Sequence, residues 1–194
     1  MRNFLSAAAI AAAAVLAAPA HATTVALNGD GTWNEIDVGA LDGSLGWIDN
    51  VDNTALDFTF TIAAGHTGTL TVVDAGFAGD TFGVTNFDAA LGQTSAVPMG
   101  TYDPNALGQF DFDAALADPS FSRGVFHLGA GTYDIGGALL QSLRLDDGTP
   151  LDATLGGLRL SVSAVPEASG LGTMAVGLAA IGMLARRRRA SQSN

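Results

Sequence analysis

The side chains best placed to do chemistry in this 194-residue chain are its aspartates, because lysine and cysteine are absent and only three histidines occur. Without cysteine there is no disulfide, no thiolate ligand, no thiol nucleophile and no lipid-modifiable thiol at an export site. Several aspartates stand in loops with glycine or asparagine, as in Asn28-Gly29-Asp30-Gly31, Asp49-Asn50-Val51-Asp52-Asn53 and Asp146-Asp147-Gly148. Such loops crowd hard oxygens into a small space, which is what calcium requires, so Asp30, Asp49, Asp52, Asp146 and Asp147 are candidate calcium ligands. The same residues also build Asx turns, and none of the loops follows EF-hand spacing. Both readings stand on sequence alone.

Asp111 and Asp113 would share a face if extended, and paired carboxylates hydrolyse glycosides when they are separated and differently solvated. Adjacent same-face positions do not meet that condition. His66 falls in a predicted turn and His127 in a predicted strand, with nothing to join them as a metal pair. Trp33, Trp47, Tyr102 and Tyr133 suit either stacking on sugars or a buried core. The sequence contains no Gly-x-Ser-x-Gly elbow, no His-Glu-x-x-His, no phosphate-binding loop and no dinucleotide fingerprint in its strand-helix context. It reads as a protein without catalytic machinery.

Charge is distributed unevenly. Arg2 and Arg186 to Arg189 lie at the ends, so residues 23–164 carry three arginines against eighteen acids, a net charge of −15. A body with that field repels polyphosphate, which excludes nucleic acid as a partner.

The two ends read as addresses. Arg2, the apolar run from Leu5 to Ala18, and Pro19-Ala20-His21-Ala22 have the order of a signal peptide. Ala20 and Ala22 form the small-x-small pattern of signal peptidase, placing cleavage after Ala22. At the other end Ala168 to Ala185 is uncharged and would span about 27 Å as a helix, barely a bilayer core. Arg186, Arg187, Arg188 and Arg189 follow as a stop-transfer cluster that stays cytoplasmic and leaves the body outside the inner membrane. The expected organisation is a signal helix over 1–22, an acidic domain over 23–164, and a sorting or anchoring segment over 165–194.

Val165-Pro166-Glu167-Ala168, then the apolar stretch, then the four arginines, resembles the PEP-CTERM sorting signal, also known as an ice-binding-protein C-terminal domain. This chain has Ala168 where that family usually carries a second proline. The resemblance implies recognition by an exosortase-type transpeptidase, a membrane-embedded cysteine enzyme of bacteria that commonly make exopolysaccharide. It implies a transient or single-pass inner-membrane anchor, then a mature protein at the cell surface or outside the cell. An ice-binding role would need regular threonine repeats, which are missing.

The body must supply the scaffold. Leu56-Asp57-Phe58-Thr59-Phe60-Thr61-Ile62 alternates as a half-buried strand, and Gly65-His66-Thr67-Gly68 reads as a turn into Thr69 to Val73, together predicting a hairpin. Further strands are expected at Thr23 to Leu27, Asp80 to Asn86, Arg123 to Leu128, Thr132 to Ile135, Ser142 to Leu145 and Leu158 to Val162. Asp113 is expected to cap one helical turn over Ala114 to Ala117, ended by Pro119, and Ser161 to Ser169 reads as a linker. Gly79-Asp80-Thr81-Phe82, Ala117-Asp118-Pro119-Ser120-Phe121 and Leu128-Gly129-Ala130-Gly131-Thr132-Tyr133 also resemble the bodies of uncharacterised proteins that bear this tail. Pattern and resemblance agree on an all-β fold, a single jelly-roll-like β-sandwich, flanked by the signal helix and a C-terminal apolar transmembrane-type helix. The expected role is a non-enzymatic envelope or matrix protein associated with extracellular polysaccharide; a carbohydrate-binding module, calcium-assisted, is the alternative.

Overall fold

The structure, a computed structural model, describes residues 22–166 apart from 42, 106 and 107. The signal segment with Ala20, and the tail from Glu167 onward with Ala168, the apolar stretch and Arg186 to Arg189, lie outside the described residues. No helix among the described residues is long and apolar enough to cross a membrane.

The fold is all-β. Its strands are β1 (Thr23–Ala26), β2 (Asp30–Leu41), β3 (Ser44–Ile48), β4 (Leu56–Ile62), β5 (His66–Ala75), β6 (Thr81–Asn86), β7 (Ala89–Gln93), β8 (Arg123–Leu128), β9 (Gly131–Gln141) and β10 (Leu155–Ala164), with a helix α1 (Phe112–Ala117) before β8. Hydrogen bonds join them in one mixed sheet, in the order β1-β4-β9-β3-β2-β10-β5-β8, with β6 on the other edge of β9 and β7 beyond it. Among the described strands β1 and β4 pair in parallel, and the other pairs are antiparallel.

Alternation along the strands makes this sheet fold over on itself. In β4 the side chains of Leu56, Phe58, Phe60 and Ile62 all point inward and are buried. They meet Leu70 and Val72 of β5, Ile36 and Val38 of β2, Phe82 and Val84 of β6, Ile135 of β9 and Leu158 and Leu160 of β10 in one core. Trp47 of β3, 1% exposed, sits at the fold-over, with edge contacts to Phe58 and Phe82, ring centroids 6.4 Å away in each case. A Cβ on Gly137 would strike that indole, so close packing fixes glycine there. The result is two β-sandwich-like layers, β1-β4-β9-β6-β7 facing β2-β10-β5-β8.

A smaller core lies on the outer face of the second layer. Val73 and Ala75 point away from the main core and are covered by α1 through Ala115, Phe112 and Leu116, with Phe121 beside them. Phe112 lies so near Gly157 that a Cβ there would fall 2.6 Å from its ring.

Four expectations are corrected. β4 and β5 are not a hairpin: β4 pairs with β1 and β9, and β5 with β10 and β8, so the turn at Gly65 carries the chain between layers. The helix is capped by Asp111, whose carboxylate accepts from Asp113 N and Ala114 N, and Asp113 already belongs to the first turn. Ser142 to Leu145 forms no strand; Arg144 makes only isolated bridges to Thr101 and Pro150. Ser161 to Ala164 is not linker but the end of β10, paired through Ala164 with His66.

Candidate functional site

The loop aspartates are occupied with local turns. Asp30 Oδ1 accepts from Thr32 N at 3.0 Å, Asp49 Oδ1 from Val51 N at 2.8 Å, and Asp52 Oδ1 from Thr54 N at 3.0 Å and Thr54 Oγ1 at 2.7 Å. Asp147 Oδ1 accepts from Thr149 N at 2.9 Å and Thr149 Oγ1 at 2.6 Å, while Asp146 is exposed on the same turn. These bonds hold three of the carboxyls below the usual carboxylate range, by the Thr32 amide at Asp30 and by the threonine hydroxyls at Asp52 and Asp147. The five residues are spread over three loops, and no group of three or more metal-ligating side chains converges among the described residues.

Nor do the other sequence candidates assemble. Asp111 is the cap of α1, and Asp113 pairs with Arg159 at 2.8 Å, so the two carboxylates share no strand face. In the register of β5 and β8, His127 lies opposite Thr69 while His66 has the other parity, which puts the imidazoles on opposite faces of the sheet. Among the four aromatic candidates, Trp47 is core, Trp33 is covered by Phe112 and by the Arg159 guanidinium 4.3 Å above its ring, and Tyr133 stacks on Phe60 at 5.1 Å.

Tyr102 is different. It lines a groove of about 380 Å³ at one end of the sandwich, together with Asp37, Phe77, Phe110, Leu151 and Thr154. Phe77 meets Tyr102 edge-on at 5.0 Å, and Phe110 is 67% exposed. Asp37, on the rim, has its carboxyl pushed up, chiefly by burial and then by the charge of Asp49, with an Asn50 hydrogen bond opposing both. An apolar groove with aromatic walls and one carboxylate suits the faces and hydroxyls of a small polar ring compound.

Beneath the groove lies a pair of buried acids that loop composition did not reveal. Asp74, at the end of β5, is 0% exposed, and Asp80, just before β6, is 1% exposed. The intervening loop turns at Gly76 (φ 76°) and Gly79 (φ 130°), conformations that glycine adopts without strain, and brings the two residues together. Asp74 Oδ2 accepts from Gly79 N and Asp80 N, both at 3.3 Å, and Asp80 Oδ1 accepts from Leu143 N at 2.7 Å. Asp74 Oδ1 and Asp80 Oδ2 have no hydrogen-bond partner among the described residues. Burial, and next the neighbouring Asp80 charge, push the Asp74 carboxyl up to about 9. Asp80 is also raised by burial, opposed by the nearby Thr154 hydroxyl and by the Leu143 amide.

The chain is similar to one solved domain. This is the pre-peptidase C-terminal domain of a collagenase from Bacillus anthracis, with 13% identity over 74% of this chain and 98% of that one, at a TM-score of 0.36. No family model and no curated protein matches the sequence.

A sequence signal for the acid pair existed. Asp74 continues the parity of Leu70 and Val72 in an apolar run, so an inward carboxylate is what strict alternation prescribes. Tyr102 and Phe110 carried no such signal, because their loops are ordered by contacts distant in sequence, such as Tyr102 N to Arg144 O at 2.7 Å and Gly76 N to Gln109 O at 2.7 Å.

Proposed function

We propose that this protein is a non-enzymatic envelope or extracellular-matrix protein: exported, cut by signal peptidase after Ala22, and delivered through its C-terminal segment to an exosortase-type transpeptidase. Its acidic body is then displayed at the cell surface or released among extracellular polysaccharide. The observation that carries this reading is the position of the last strand. β10 ends at Ala164, and Val165 and Pro166 are exposed, the Val165 amide donating to Gly65 O at 2.7 Å, so the residues that open the proposed motif lie at the surface where the sheet ends. The acids considered for hydrolysis support a non-enzymatic role, since Asp111 is spent as a helix cap and Asp113 in an ion pair.

We read the body more finely as a jelly roll. Leaving aside β1 and β3, the layers run β2-β10-β5-β8 and β4-β9-β6-β7, every neighbouring pair antiparallel, which is the strand order of two interlocked Greek keys. That fold hosts many functions and selects none. The test of the sorting reading is Pro166→Ala with Glu167→Ala in an exosortase-bearing host, followed by intact mass and release of the protein. Loss of processing is expected, and unchanged mass and release would count against the reading.

A carbohydrate-binding role is favoured by the groove walled by Phe77, Tyr102 and Phe110. Glycan-array binding by the exported protein, lost in Tyr102→Ala and Phe110→Ala, supports that role. Absence of binding across the array removes it.

A further inference from the structure

Among the described residues Asp74 and Asp80 are the two acids that are buried as whole residues, and each keeps one oxygen without a hydrogen-bond partner; Asp134 Oδ1 is also unpartnered, but that residue is only half-buried. The three backbone amides around them donate to Asp74 Oδ2 and Asp80 Oδ1, the arrangement that stabilises ionised carboxylates and leaves one oxygen of each acid vacant. Two adjacent buried negative charges without a cationic side chain bonded to them are costly. A single proton on the pair would leave one buried charge. One divalent cation between the two acids would neutralise both charges.

We propose that Asp74 and Asp80 form a structural calcium site at the end of the sandwich. The choice of calcium follows from the donors. The vacant atoms are carboxylate oxygens, and the Thr154 hydroxyl beside Asp80 is a third hard oxygen. Magnesium demands near-ideal octahedral geometry, whereas calcium accepts irregular sets of about six to eight oxygens, which backbone carbonyls or water would complete around these three. The ion would clamp the end of β5 to the start of β6. It would also secure the floor of the aromatic groove, since Gly76, Phe77 and Thr154 line that groove. This site is distinct from the loop aspartates, whose oxygens serve turns.

The experiment uses the exported protein stripped with EDTA, followed by thermal unfolding in EDTA, in calcium chloride and in magnesium chloride. Calcium at about a hundred times its Kd should raise Tm by about 5–10 °C, with proton release on binding near neutral pH. Asp74→Asn and Asp80→Asn should each abolish the rise, and the paired Asp146→Asn, Asp147→Asn variant should keep it. A wild-type Tm unchanged between EDTA and about 10 mM calcium would overturn the site, at a concentration where even weak extracellular modules are occupied. So would a rise that persists in both single variants. Equal stabilisation by magnesium would overturn the assignment to calcium. Should one variant fail to fold, the wild-type titration and the other variant decide the matter.

Discussion

Replacing Asp74 by asparagine in calcium-free buffer should flatten the dependence of stability on pH. The folded protein holds the Asp74 proton up to about pH 9, whereas the ordinary value is 3.8, so between those limits the folded state binds one proton more than the unfolded chain. Stability from this group is therefore complete below the unfolded value and is lost as pH rises towards the folded one. One proton corresponds to ~1.4 kcal/mol per pH unit, so raising pH from 5 to 8 should remove ~4 kcal/mol. Against a typical total of ~5–15 kcal/mol that is a large fraction. Urea titrations at constant ionic strength in EDTA, followed by the emission of buried Trp47, read it directly: with a slope of ~1–3 kcal/mol per molar, the midpoint should fall by ~2 M. Asp74→Asn keeps the shape and cannot ionise, so its midpoint should change far less. Asp80, itself raised by burial, leaves a residual slope. A flat wild-type profile, or equal slopes in both proteins, would refute the reasoning.

Three further outcomes test the packing. Gly137→Ala puts a Cβ 2.7 Å from the Gly83 carbonyl oxygen and against Trp47, so chemical denaturation should show a loss of ~1–3 kcal/mol or more. Arg159→Ala removes the guanidinium over Trp33 and the ion pair to Asp113, and should cost ~1 kcal/mol with a red shift in Trp33 emission, while Asp113→Asn alone costs less. Asp111→Ala removes the cap of α1 and should cost ~0.5–2 kcal/mol by the same measurement.

The parts of this fold that the sequence declares are those whose burial obeys strict alternation. β4 is the clearest, with four inward apolar residues separated by Asp57, Thr59 and Thr61, and its boundaries agree with expectation. β2 and β3 were not legible. Trp33 and Ile36 have opposite parity because β2 buries Ile36 and Val38 in the main core while Trp33 packs under α1, so no single period runs through it. The missed connection between β4 and β5 has a related cause: a tight glycine turn joins two strands equally well within one layer or across two, and only the partners β9 and β10, far along the chain, decide between them. At the site, composition drew attention to exposed Asp-Gly and Asp-Asn loops, which are turns. Asp74 and Asp80 occur singly, one ending an apolar strand, where parity marks it, and one following Gly79, where composition is silent.

The placement of β10 bears on when the molecule can become itself. Residues 155–164 sit between β2 and β5, hydrogen-bonded to both along most of their length, although those neighbours were made some eighty or more positions earlier. Until that late segment arrives, β2 and β5 have no common partner and the second layer has a gap at its centre. A chain emerging vectorially, whether from a ribosome or a translocation channel, therefore cannot close its core until nearly all of the body has passed. Truncation at any point before Leu155 should leave an aggregation-prone intermediate with two open strand edges rather than a smaller version of the same domain.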